Sequence, residues 1–309
     1  MKMYKPIIHS SWLNLDVKHV WSNTEFTKKV EIFCDRKITD LKPKRDTIKV
    51  LILNEPREIL PHMYDPNHVN LDDYDLVFTW DQHTLSLGKK HVFNFIFFHC
   101  WMWYYGKDLG DTFPEKEFSV STVVGMKSET IGHQMRHNLW STQFRIEIPK
   151  RFFASGLDPW GLKPEPDSIL GPTKDPLFKS QFHICIENIR QPNMVTEKLH
   201  DAIISKTVPI YWGAPNIGDI YDTRGMFVCH TLSHIFDVCN NLTPTTYEEM
   251  KPFIQENYQR VLALRENTID KRIEDNLENL NENKNTKRRN KTPRPLDAFG
   301  KGIKKREIK

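Results

Sequence analysis

The sequence predicts an α/β fold built on parallel sheets, and three features of the 309-residue chain carry the prediction. Short, nearly continuous apolar runs recur along the chain, as expected of strands that are buried on both faces. Helical or loop segments separate these runs, which favours parallel pairing. The composition, 39% hydrophobic and 27% charged, is that of a soluble globular protein.

Three strand-like runs form a first block: "KVLILNEP" (49–56), "DLVFTW" (75–80) and "HVFNFIFF" (91–98). Pro56 ends the first of them, because proline cannot donate to a sheet ladder. A polar segment, residues 106–117, then separates this block from a second. We therefore assign residues 1–115 to an N-terminal domain.

The second block, residues 116–246, repeats the alternation of strands and helices. A strand ends at Gly125, a Pro- and Gly-rich segment at 156–176 predicts a long loop, and "QFHICIEN" at 181–188 alternates as a strand does. A helix is expected from about Thr196 to Ser205, followed by the strand "TVPIYWG". The strand, helix and strand together predict a βαβ unit.

The C-terminal part divides into a closing helix and a charged extension. Residues 247–269 place apolar side chains near helical spacing, although Pro252 restricts where a helix begins. Residues 270–309 are charged and low in aromatic residues, which predicts a solvated helix and a basic tail. From Lys284 onward the tail carries a net charge of +9, so the preceding residues carry −5 of the overall +4.

The basic tail has two interpretations, solvated disorder and contact with an anionic surface such as a membrane. Specific nucleic-acid binding is not expected. The alternative to an enzyme is a non-catalytic module that binds anions or nucleic acid through its basic tail. No apolar run reaches 18 residues, so no membrane span is predicted. Five widely spaced cysteines favour reduced core thiols and a reducing compartment. We therefore expect a cytoplasmic protein, for which peripheral contact with a membrane through the basic tail is a further option.

Lys198 stands in the first turn of the expected helix after Asn193 or Thr196, either of which would serve as its N-cap. A cation there opposes the helix dipole by roughly 0.3–1 kcal/mol. An anion bound at this helix start would remove the conflict, because free N–H groups and the lysine would converge on it. The competing interpretation is an exposed lysine beside Glu197 on a solvated turn.

Two further residues point toward the same edge of a sheet. Arg136 lies on the helix after the Gly125 strand end and offers a fork for phosphate, although a surface arginine is the simpler interpretation. Glu55 follows an apolar strand, where a carboxylate serves as a general base or as a strand-end cap. His133 and His137 have the spacing of two metal ligands, but no third ligand is near them in sequence, and we predict no metal site.

The segment that runs from "FHICIEN" through "VTEKLHDAIISKTVPIYWG" resembles the signature of the α1,3/4-fucosyltransferases of glycosyltransferase family ten. That signature is approximately F-x-x-x-F-E-N, then Y-[VI]-T-E-K, a helix, and [VI]-P-[VI]-x-[WY]-G. Weaker agreement extends over residues 48–265 and includes "GHQMRHNLW" and "LILNEP". No dinucleotide-binding, Walker A or nucleophile-elbow motif competes with it.

The resemblance implies a GT-B fold, in which two Rossmann-like domains face one another across a cleft. It also implies an inverting, metal-independent transfer of fucose from GDP-fucose to a glycan hydroxyl. Glu55 would be the catalytic base and Arg136 and Lys198 would contact the diphosphate. Glu197 would bind the ribose hydroxyls, and Asn188 would shape the donor pocket.

Met194 is a departure, because the family usually has tyrosine at this position. Either Met194 packs as an apolar substitute, or donor affinity and donor identity differ, so the same fold acting on another nucleotide sugar stays an alternative. Golgi members of the family carry an N-terminal anchor that this sequence lacks, which makes the chain more similar to bacterial or viral members. The acceptor and the oligomeric state are left open.

Overall fold

The computed structural model describes residues 2–10, 25–36, 47–97, 100, 102, 109–162, 165, 168–266 and 268–277. Its described residues form two five-stranded sheets in which every paired strand is parallel. The predicted α/β class with parallel sheets is therefore confirmed. The basic tail from Lys284 onward lies outside the described residues.

The first sheet has its strands in sequential order, β1-β2-β3-β4-β5. Its strands are β1 Ile7–Ser10, β2 Lys29–Cys34, β3 Thr47–Leu53, β4 Leu76–Thr79 and β5 Val92–Asn94, with a short helix α1 at Gln82–Ser86. Residues 54–73 cover one face of the sheet, where Met63 and Val69 pack on Leu51 and Leu53. The opposite face of the first sheet is not covered by this segment.

The second sheet has the order β10-β9-β8-β6-β7. Its elements are β6 Glu117–Val124, α2 Ile131–Ser141, β7 Lys150–Ala154, β8 Ser180–Ile186, α3 Glu197–Ile204, β9 Val208–Trp212, β10 Phe227–Val228 and α4 Leu232–Asn241. The strand order reverses between β6 and β8. Sheets of this kind bind ligands beyond the carboxyl ends of the strands at such a reversal. The predicted βαβ unit is present, since β8 and β9 pair in parallel and α3 connects them.

The closing helix, α5, spans Pro244–Glu266 and therefore begins upstream of Pro252. Tyr247 and Met250 before the proline, and Tyr258 and Val261 after it, all pack into the core around the second sheet. This packing on both sides outweighs the local cost of a proline inside a helix.

A last helix, α6, occupies residues 269–277 and corrects the expectation that the segment from residue 270 is solvated. Its Ile269, Ile273 and Leu277 are buried in a cluster with Ile32, Val50 and other residues of the first sheet. The helix thereby covers the face that residues 54–73 leave open. Charged residues lie between these apolar positions, so the composition of the segment does not reveal an apolar stripe that repeats every four residues.

None of the five cysteines is joined in a disulfide. Cys100, Cys185, Cys229 and Cys239 are buried, and burial raises the pKa of the Cys229 thiol to about 12. Within the described part of the chain, no helix combines the length and apolar character needed to cross a membrane.

Candidate active site between the two sheets

The start of α3 holds Lys198 in a network of oxygen atoms. Thr196 is the N-cap, since its side chain accepts a hydrogen bond from the Lys198 N–H. The Lys198 ammonium group donates to Thr196 Oγ1 at 3.2 Å and to Glu197 Oε1 at 3.0 Å. Burial alone would lower the pKa of Lys198, but the charges of Glu197 and Glu187 raise it above its usual value. Lys198 is thus a cation held in place, rather than an exposed lysine on a solvated turn.

Glu187, which the sequence did not single out, supports this arrangement from the end of β8. Its side chain is fully buried, and its carboxylate accepts from the Thr196 N–H at 2.9 Å and from the Thr196 hydroxyl at 2.7 Å. One carboxylate oxygen lies 3.8 Å from the Lys198 ammonium nitrogen. Glu187 therefore fixes both the cap of α3 and the position of its lysine. The sequence did contain a signal for Glu187, because this residue is the glutamate of the "EN" pair that ends the motif "FHICIEN".

The family resemblance implies that a GDP diphosphate binds at Lys198; on that basis we expect Glu187→Gln to weaken GDP binding about tenfold, equivalent to 1.4 kcal/mol, by removing the charge that holds Lys198. Isothermal titration calorimetry with GDP measures the change. Thr196→Ser, which keeps the hydroxyl that Glu187 accepts from, should bind like the wild type. Equal affinities for wild type and Glu187→Gln would show that Glu187 has no part in placing the lysine.

Arg136 and Asn188 form a second polar group beside α3. The Arg136 guanidinium donates to the Ile186 carbonyl oxygen at 2.5 Å and to Asn188 Oδ1 at 2.8 Å. Burial lowers the pKa of Arg136 to about 10, against the opposing charges of Glu187 and Glu197, so it stays protonated at neutral pH. Two of its five N–H groups are used in these bonds.

The close approach of α2 to the end of β8 depends on Gly132. Its N–H donates to the Asn188 carbonyl oxygen at 2.9 Å, and a Cβ atom at this position would lie 1.8 Å from the Glu187 carbonyl oxygen. Gly132 therefore lets the helix that carries Arg136 pack directly on the strand end that carries Asn188.

Gly132→Ala is expected to lower the free energy of unfolding by about 3 kcal/mol, because two backbone segments must move apart to admit one methyl group. Urea denaturation followed by circular dichroism tests this. Gly171→Ala is the matched control, since no atom lies within 4 Å of a Cβ at Gly171. A Gly132→Ala variant as stable as the control would contradict the close approach.

Glu55 lies just beyond β3 in the first sheet, at a backbone turn fixed by Asp35. The Asp35 carboxylate, from the end of β2, accepts from the Asn54 N–H at 2.8 Å and from the Glu55 N–H at 3.2 Å. Tyr64 donates its hydroxyl to the Glu55 carbonyl oxygen. Asp35, a residue that sequence reasoning missed, thus fixes the backbone at Glu55 from the end of the neighbouring strand.

The Glu55 carboxyl group lies within electrostatic reach of the second sheet. Burial raises the pKa of Glu55 to about 7, and the charge of Asp35 adds to this effect. Lys198 and Lys127 act in the opposite direction, whereas Glu197 again raises the pKa. The charges of Glu197 and Lys198 on the second sheet therefore act on the Glu55 carboxyl group, and Arg136 is hydrogen-bonded to Asn188. A carboxyl group that titrates near neutral pH has the proton affinity that a general base needs.

Met194 faces the first sheet. Its side chain is 2% exposed and belongs to the apolar cluster that contains Phe95, Phe97 and Ile189. Met194 therefore packs in an apolar cluster shared with the first sheet, and its effect on donor choice stays a prediction.

The two histidines with metal-ligand spacing have separate partners. His133 Nδ1 lies 2.8 Å from the Thr130 hydroxyl in a capping box at the start of α2. His137 Nε2 lies 2.9 Å from the Gly125 carbonyl oxygen. Burial, with a contribution from Arg136, lowers the pKa of His133 to about 4, so the ring is neutral at pH 7.

The two parallel five-stranded sheets agree with the architecture expected of the GT-B class of glycosyltransferase folds. The chain is similar to the α-(1,3)-fucosyltransferase FucT of Helicobacter pylori, with 29% identity over 94 residues. The match spans 30% of this chain and 19% of that relative. The predicted resemblance to α1,3-fucosyltransferases is thereby confirmed. No protein-family model matches the chain.

Solved structures give weaker likenesses. An α1,3-fucosyltransferase crystallised with GDP-fucose has a TM-score of 0.47 and 16% identity, with 86% of this chain and 90% of that chain covered. The TarM structure has a TM-score of 0.44 and 12% identity, with coverage of 82% and 54%.

Proposed function

We propose that this protein transfers fucose from GDP-fucose to a hydroxyl group of a glycan acceptor, forming an α1,3 or α1,4 linkage with inversion at the anomeric carbon. Two observations support the proposal: the similarity to the fucosyltransferase FucT, and a carboxyl group on the first sheet, Glu55, whose pKa burial raises to about 7 and whose charge interacts with that of Lys198 on the second. A cleft with a base on one side and fixed cations on the other suits a displacement that expels a diphosphate.

Each residue has a role in that displacement. Glu55 accepts the proton of the acceptor hydroxyl, whose oxygen attacks the fucose anomeric carbon from the face opposite GDP. The bond from that carbon to the β-phosphate oxygen breaks, and the electron pair leaves with the diphosphate. Lys198 and Arg136 stabilise the charge that develops there, the role that a divalent cation fills in metal-dependent transferases.

The donor's nucleoside end is assigned to Glu197 and Asn188. Glu197 accepts hydrogen bonds from the ribose hydroxyls, and Asn188 shapes the donor pocket while its side-chain oxygen holds Arg136 at 2.8 Å. Glu187 is not one of the donor-binding residues in this scheme; it positions Lys198. The acceptor is a glycan that ends in an N-acetylglucosamine or glucose unit.

Ligand-induced shifts of the melting temperature test the choice of donor. A ligand that binds only the folded state at 100 times its Kd stabilises that state by about 2.7 kcal/mol. We expect the largest shift with GDP-fucose, a smaller one with GDP-mannose and none with UDP-sugars. A larger shift with a UDP-sugar would assign another donor, and no shift with any GDP compound would overturn the proposal.

A further inference from the structure

The segment that leads into α3 is fixed at Asn193, a residue that has no role in the displacement described above. Asn193 has a φ of 62°, a left-handed backbone conformation that asparagine tolerates better than most other residues with a side chain. Its backbone N–H donates to Asn216 Oδ1 at 2.9 Å, and Asn216 Nδ2 donates to Asn193 Oδ1 at 2.9 Å. Two hydrogen bonds with one partner therefore hold this turn against the segment that follows β9.

The other polar group of the Asn193 side chain reaches the first sheet. Its Nδ2 donates to Asn94 Oδ1 at 3.4 Å, and Asn94 is the last residue of β5. One amide group thus accepts a hydrogen bond from the second sheet's side and donates one to the first sheet. We call Asn94, Asn193 and Asn216 the asparagine bridge.

Apolar packing lies directly beside the asparagine bridge. Phe95 follows Asn94 in sequence and Met194 follows Asn193, and both are buried in the same cluster. Ile189, from the segment that leads to Asn193, is buried in that cluster as well. Burial of apolar surface is not directional, whereas a hydrogen bond is. The asparagine bridge is therefore the part of this contact that can select one alignment of the two sheets.

The asparagine bridge is connected to both sides of the candidate active site. Thr196, three residues after Asn193, caps α3, and Lys198 stands in the first turn of that helix. Glu55 follows β3, which belongs to the same sheet as β5. A shift of the α3 start against the first sheet would change the separation of Lys198 and Glu55. A misplacement of about 1 Å between reacting groups can cost about 100-fold in rate.

We propose that Asn193 is a positioning residue, which joins Asn216 to Asn94 and so holds the start of α3 in a fixed alignment with Glu55. This role rests on the proposed function and deepens it. GDP binding needs only residues of the second sheet, whereas transfer needs the donor aligned with the base. Loss of the asparagine bridge should therefore lower kcat and leave the affinity for GDP intact.

Asn94→Ala breaks only the bond to the first sheet, at an exposed position. We expect kcat for transfer from GDP-fucose to fall about tenfold, while the KM for GDP-fucose, the Kd for GDP and the melting temperature stay unchanged. Asn193→Gly keeps the left-handed backbone and should show the same loss. Asn193→Asp keeps the oxygen that accepts from Asn216 and offers a second one to the amide of Asn94, so it should recover most of the rate.

A double variant tests whether Asn94 and Asn193 act as one unit. If they do, Asn94→Ala combined with Asn193→Gly should lose no more activity than Asn193→Gly alone. Asn241→Ala is the matched control, because it removes an exposed asparagine whose amide bonds within its own helix, at the end of α4. This control should transfer fucose at the wild-type rate.

Three results would overturn the positioning role and leave the proposed function standing. The first is an Asn94→Ala variant with the kcat of the wild type, and the second is a pair of losses that multiply in the double variant. The third is a GDP affinity that falls as far as kcat in Asn193→Gly, since Asn193 would then serve the donor site alone. A wild type that shows neither transfer nor a GDP-induced melting shift overturns the proposed function itself, and the positioning role with it.

Discussion

Glu55→Gln is expected to keep GDP binding and to lose transfer by about 10²–10⁴-fold, the usual contribution of a positioned general base. The substitution preserves shape and removes the proton acceptor. Because the backbone of Glu55 is held by Asp35 and Tyr64, the replacement side chain should occupy the same place. Initial rates with labelled GDP-fucose measure the loss, and calorimetry with GDP measures the binding.

The matched control is Glu58→Gln, an exposed carboxylate three residues away on the same loop. It should leave both transfer and GDP binding unchanged. If Glu55→Gln turned over like this control, the base would have to be another residue.

The pKa of Glu55 predicts a pH dependence of kcat/KM that tests whether Glu55 is the base. Since the pKa is near 7, kcat/KM of the free enzyme should rise with pH through about 7, as the carboxyl group becomes able to accept a proton. A rate profile that is flat between pH 6 and 8 would contradict a base with this pKa.

The raised pKa also predicts how stability changes with pH. The folded protein holds the Glu55 proton more tightly than the unfolded chain, where the pKa is 4.5. The resulting stabilisation is complete below about pH 4.5 and is lost as the pH rises through about 7. The melting temperature of the wild type should therefore fall relative to that of Glu55→Gln between pH 5 and 8, a readout that needs no substrate.

Lys198→Ala is expected to weaken GDP binding about 100-fold or more. The change removes a cation from the start of α3 and leaves Glu187, which is fully buried, without the ammonium group 3.8 Å away. Removing one partner of a buried ion pair costs about 3–5 kcal/mol, because an unpaired charge stays behind. Calorimetry with GDP measures the affinity, and thermal unfolding checks how much of this cost falls on the fold itself.

Two variants make the Lys198 result interpretable. Lys198→Arg keeps a cation and should recover part of the affinity, whereas Lys179→Ala removes an exposed lysine and should have no effect. If Lys198→Ala folded and bound GDP as tightly as Lys179→Ala, the diphosphate would not lie at the start of α3.

The sequence predicted the parts of the site that lie in local patterns. Thr196, Glu197 and Lys198 form a helix start that is visible in one turn of chain, and Glu55 follows a strand that its apolar run identifies. Contacts between distant segments were not predictable in this way. Asp35 reaches Glu55 from the neighbouring strand, and Gly132 meets Glu187 across 55 residues of sequence.

The fold shows the same division. The strands β3, β4, β5, β6, β8 and β9 lie where apolar runs predicted them. Four strands were missed: β2 and β7 mix charged residues with apolar ones, and β1 and β10 are short. The helix α6 was predicted, but as a solvated one. Its apolar stripe is buried because it packs on the face of the first sheet that residues 54–73 leave open, and that face is not visible from the sequence of the helix.

The account depends most on one claim, that the base of the first sheet and the cations of the second form a single site for fucose transfer. The most direct measurement is transfer of labelled fucose from GDP-fucose to a panel of glycan acceptors, with a chelator present throughout. We predict a product with at least one acceptor ending in N-acetylglucosamine or glucose, at a rate that the chelator does not change. Absence of product with every acceptor, both with the chelator and with added divalent metal, would contradict the account.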